Sequence, residues 1–148
     1  MLNQSLSKKR KSYEVLTKAL MLLSFSAYAE TTSRASNFFV ETGTYIDKVS
    51  GTTFEVWFEV MAKGLMDELG VSTIKIERSS DGTNWMTMKT YSMSNYSQMI
   101  DEDTGWHGSY VTYTGSYGYY YRAKVTFYAK NASGTGTYTM YTSTVMVP

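Results

Sequence analysis

Cysteine is absent from this chain, proline occurs once, at Pro148, and His107 is the single histidine. Without cysteine there is no disulfide staple, no thiolate metal cluster and no lipid-modified cysteine at a processing site. A single histidine, with no serine in a nucleophile-elbow context, leaves little from which to build a hydrolytic triad. Long apolar runs are missing too. The longest, Ala19 to Ala27, falls well short of the roughly 20 residues that cross a bilayer. Neither charge dominates, with 14 basic and 13 acidic side chains.

That apolar run sits in a recognisable context. Lys8, Lys9, Arg10 and Lys11 precede it, and Ala27-Tyr28-Ala29 follows as a small-x-small cleavage site. Residues 1–29 are therefore expected to be a helical signal peptide, removed near Ala29 to give a secreted, extracellular protein. Cleavage takes five of the 14 basic residues and one of the 13 acidic ones, Glu14, leaving 9 against 12 over residues 30–148. Net charge then offers no argument for a polyanionic partner. No nucleic-acid partner and no stable membrane insertion are expected.

Residues 30–148 are rich in tyrosine, threonine and glycine, a composition suited to pleated sheets joined by turns. Phe54, Val56, Phe58 and Val60 alternate with Glu55, Trp57, Glu59 and Met61; Tyr121, Ala123, Val125 and Phe127 alternate with Arg122, Lys124, Thr126 and Tyr128. Period two marks strands with one buried face. Further strands are predicted over Phe38–Ile46, around Ile74 and Ile76, over Trp85–Tyr91, Tyr110–Thr114 and Thr137–Val147. Asp81-Gly82, Gly115-Ser116-Tyr117-Gly118 and Asn131-Ala132-Ser133-Gly134 are the turn signals between them. Lys63–Leu69 is the one short helix candidate, and residues 92–109 are expected to form a long loop. About seven short strands indicate a single antiparallel β-sandwich over residues 30–148.

Two resemblances run alongside this reading. The stretch Ile74 to Trp85, with its Asp81-Gly82 turn, and the stretch Tyr121 to Gly134 resemble a hairpin and a penultimate strand of immunoglobulin/fibronectin type III-like sandwiches. That resemblance implies a buried corner tyrosine, Tyr119 or Tyr121. Trp57 departs from it by sharing parity with Glu55 and Glu59 rather than with the core. The leader, Gly43-Thr44-Tyr45-Ile46, the Ile74–Trp85 hairpin and Gly118-Tyr119-Tyr120-Tyr121-Arg122 together resemble a family of small exported Gram-positive proteins of unknown function. This second resemblance implies fold and export, and brings no activity with it.

Residues able to do chemistry are sparse. His107 lies near Asp101, Glu102 and Asp103 in the expected loop; a solvated loop accounts for them, and calcium is the alternative use of the three acids. Glu55 and Glu59, four apart on a strand, stand roughly 13 Å apart, too far for a glycosidase pair. No catalysis, no metal and no cofactor are expected. The most suggestive surface is the outward parity of the 119–130 strand: Tyr120, Arg122, Lys124, Tyr128 and Lys130, with Tyr141 beside it, Trp57 outward elsewhere and Trp106 in the loop. Tyrosines flanked by cations bring large contact area at little entropy cost. They also serve as ordinary cross-strand pairs. The expectation is a non-catalytic binding or surface-interaction module for a carbohydrate, cell-wall polymer or cell-surface protein. A β-hairpin-inserting toxin is the alternative, and an enzyme the less favoured one.

Overall fold

The computed structural model describes residues 37–148. The expected signal peptide, its helix and its cleavage site lie outside the described residues. Both alternating runs form strands, and Phe54, Val56, Phe58, Val60, Ala123, Val125 and Phe127 are wholly buried. Seven antiparallel strands make up the described residues: β1 (Phe39–Ser50), β2 (Thr53–Ser79), β3 (Met86–Ser92), β4 (Ile100–Thr114), β5 (Tyr119–Asn131), β6 (Gly134–Tyr141) and β7 (Val145–Val147). One 3-10 turn, Ser97–Met99, precedes β4.

The 27-residue β2 is the spine. Its first half pairs with β1 on one side and β4 on the other. Its second half pairs with β5 and β3, and β6 and β7 pair in turn with β5. Straight, β2 would hold Phe54 and Arg78 roughly 80 Å apart. Yet Tyr121, the partner of Arg78, has its ring 5.2 Å from that of Phe54. The strand therefore folds over, and its two halves become the facing layers of an all-β sandwich with one shared core.

The fold-over corrects two expectations. Lys63–Leu69 is not helical; it is the corner of β2, where pairing with β4 slips between Met61 and Met66. Leu65 is 72% exposed there while Met66 and Leu69 are buried, so the spacing that suggests a helical face arises from a bulged strand. Gly70 ends the corner, where an added Cβ would lie 2.0 Å from the Met99 carbonyl oxygen; only glycine admits that approach. The long loop is likewise mostly strand. β4 starts at Ile100 and follows β2 around the corner. Its first half lacks apolar alternation because Asp101, Glu102 and Asp103 lie on the exposed rim.

Elsewhere expectation and structure agree with small differences. The corner tyrosine is Tyr121, buried, its hydroxyl accepting a 2.8 Å bond from the Ser116 amide. Its ring fills the space a Cβ on Gly115 would need. The Asp81-Gly82 turn forms, with Gly82 at φ +77° and Asp81 accepting bonds from the Thr83 and Asn84 amides. These bonds, with those from the Asn84 and Ser79 side chains, hold the Asp81 carboxyl far below the usual range. The single strand expected over Thr137–Val147 is two, β6 and β7. Between them buried Thr142 accepts from the Ala123 amide in place of a ladder bond.

Candidate functional site

The residues singled out as a binding surface do not stay together. Tyr120, Arg122, Lys124, Tyr128 and Tyr141 share the outer face of the second layer, because β5 alternates strictly and Tyr141 is the register partner of Lys124. Trp57 lies on the opposite outer face, and Trp106 is on β4 rather than in a loop.

On the second layer, Arg122 is the organising side chain. Its guanidinium lies 4.2 Å from the Trp85 ring centroid and 4.4 Å from that of Tyr141. Its Nε donates a 2.8 Å bond to Glu77 Oε1. Planar, weakly hydrated guanidinium suits such a stack better than ammonium does. One row along, Lys124 stands directly opposite Lys75. Like charges facing across a strand pair are destabilising, and neither lysine has an acid within ion-pair distance among the described residues. Lys124 instead reaches over the Tyr141 ring at 5.8 Å. Toward the ends of the strand, Tyr128 donates to Glu68 Oε2 at 3.0 Å and Tyr120 lies against Gly82 of the turn. These two tyrosines are tied locally, so the open part of the face is Lys75, Arg122, Lys124, Tyr141 and Trp85.

Sequence reasoning missed Trp85 and Lys75. The sequence places Trp85 at the end of the Asp81-Gly82 hairpin, whereas its ring packs on Arg122 of β5. Lys75 carries outward parity beside Ile74 and Ile76, but its pairing with Lys124 depends on register between distant segments.

The first layer's outer face has the opposite character. Tyr45, Trp57 and Tyr110 are register partners across β1, β2 and β4. Their rings stack on one another, at 6.0 Å for Tyr45–Trp57 and 4.4 Å for Trp57–Tyr110. Trp57 Nε1 donates to Glu55 Oε2 at 2.9 Å. Glu41, Asp47, Glu55 and Glu59 share this parity. Glu59 is only 3% exposed, with Gly43 and Gly108 as its register partners, and Trp106 packs over Gly108. Its Oε2 has no hydrogen-bond partner among the described residues. Burial, and then the nearby Glu41 charge, push its carboxyl up to about 7.

His107 is not a solvated loop residue. It occupies a core-parity position opposite Val60, 5.6 Å from the Phe58 ring. Its Nε2 donates to the Gln98 carbonyl at 2.8 Å, and Nδ1 lies 3.9 Å from Asp101 Oδ2. Among the described residues no group of three or more histidines and acids is placed to hold a metal ion, and Asp101, Glu102 and Asp103 do not converge. No family model, curated protein or solved structure matches the chain.

Proposed function

We propose that this chain is a secreted, non-catalytic binding module that engages an acidic glycan or cell-wall polymer through the outer face of its second layer. The observation that carries the reading is Lys75 opposite Lys124, beside an Arg122 held between two aromatic rings. Opposed lysines raise the free energy of the sheet unless a partner supplies negative charge. Trp85 and Tyr141 each cover one side of the guanidinium and add broad apolar surface at its rim, the combination that sugar rings carrying acidic groups require. The leader at residues 1–29 and the motifs resembling small exported Gram-positive proteins fit a role outside the cell.

The test is binding to polygalacturonate, with dextran as the uncharged control. The wild-type chain is expected to bind the polyuronate, more weakly as salt rises, and to ignore dextran. Lys75→Ala/Lys124→Ala should lose at least about tenfold in affinity, the loss expected for two charge-assisted contacts. Equal binding by the double variant would end the proposal.

A further inference from the structure

The two sides of the sandwich are closed differently. On the β1–β6 side, the Phe38 ring fills the space above Gly136 and Thr42 Oγ1 lies 3.3 Å from Met140 Sδ. On the other side run the unpaired edges of β3 and β4, which occupy successive stretches of the same side of β2. Between them is a groove of about 480 Å³, lined by Lys89, Tyr91, Tyr96, Gln98 and the β4 segment 109–112. That is within the range of small-molecule sites.

Its lining is specific. Lys89 pairs with Ile76 of the core face, so on the edge strand β3 its exposed side chain stands on the same side as Tyr91, at the mouth of the groove. The ammonium lies 4.6 Å from the Tyr91 ring centroid and 6.0 Å from that of Tyr96. No carboxylate lines the groove. Buried Tyr91 is fixed, its hydroxyl donating to the Thr112 carbonyl at 2.7 Å. That bond shows which backbone groups face the groove. In an antiparallel strand a residue's N–H and C=O point to the same edge and alternate along the chain. Thr112 therefore turns both groups away from β2, and so does Tyr110, presenting ladder donors that no strand takes up.

We infer that this groove binds a small organic anion, a six-membered ring bearing a carboxylate. The tyrosine rings would receive the ring, Lys89 the carboxylate, and the β4 edge its remaining polar groups. An acidic sugar and an aromatic acid share that chemistry, so both serve as probes. The site shares no residue with the open basic face and stands or falls apart from it.

The experiment is amide and side-chain NMR of the full chain titrated with glucuronate, with 4-hydroxybenzoate, and with glucose as the neutral control. Saturable shifts at Lys89, Tyr91, Tyr96 and Tyr110 are expected with at least one acid and with glucose none. The acid that binds tighter identifies the source. Lys89→Gln should weaken binding by about tenfold with melting unchanged, whereas Lys75→Ala/Lys124→Ala should leave it intact. Absence of shifts with both acids, or equal binding by Lys89→Gln, overturns the inference. So does a Lys89→Gln variant that self-associates while the wild type binds neither acid, because Lys89 would then only guard a sheet edge.

Discussion

The two outer faces of this sandwich contain similar residue types and use them in opposite ways. On the first layer the aromatic rings of Tyr45, Trp57 and Tyr110 stack on one another, and the charged neighbours are acids. On the second, Trp85 and Tyr141 are separated by a guanidinium, and lysines face each other across the strands. A ring whose faces are taken by neighbouring rings contributes to stability. A ring beside a lysine that no acid neutralises, as Tyr141 is beside Lys124, has surface and field left for a partner. Tyrosine content alone does not separate these cases; the neighbour at the next strand does.

Substitutions can break or sharpen this contrast. The largest effect is expected at Trp57→Ala, which removes the central ring of the stack and its bond to Glu55. A loss of about 2–3 kcal/mol, somewhat below that of a fully buried tryptophan, should be seen in chemical denaturation, with polyuronate binding unchanged for the folded fraction. A large loss of binding there would erase the division between the faces.

Glu59→Gln probes the same face through pH. The folded carboxyl titrates near 7, above its unfolded value, so the folded state holds the proton more tightly. The stability that Glu59 contributes is then fully present below about pH 4.5 and is lost as pH rises through 7. The glutamine variant lacks that loss. It should exceed wild type by about 1–3 kcal/mol at pH 8 and converge with it at pH 4. Parallel stability curves across that range would show that Glu59 is solvated.

Smaller effects belong to the second layer. Tyr141→Ala should cost only about 0.5–1 kcal/mol of stability, the usual value for an exposed cation–π contact, yet weaken polyuronate binding severalfold. Lys75→Ala should change stability least, with a gain of a few tenths of a kcal/mol as the like-charge pair is relieved. A clear loss of stability in its place would mean that Lys75 has a structural partner.

Much of the fold is legible from local pattern. Alternation at Phe54–Val60 and Tyr121–Phe127 defines both core faces, Asp81-Gly82 defines a turn, and Tyr121 takes the corner position. The corner of β2 is not legible in this way, because a bulged strand puts Met66 and Leu69 at a helix-like spacing. Nor is the first half of β4, whose rim position needs no apolar face. The proposed binding face is half legible. Parity places Arg122, Lys124 and Tyr128 on one side, but Lys124 meeting Lys75 and Arg122 meeting Trp85 depend on register between segments nearly 40 or more residues apart. Net charge concealed the rest, since an acidic face and a basic face nearly cancel in a sum.

The division between the faces is tested most directly by isothermal titration of polygalacturonate into three proteins: wild type, Lys75→Ala/Lys124→Ala and Trp57→Ala. Binding by wild type and Trp57→Ala alike, with about tenfold weaker binding by the double variant, is the predicted result. Binding that survives in the double variant and fails in Trp57→Ala would reverse the assignment of the two faces.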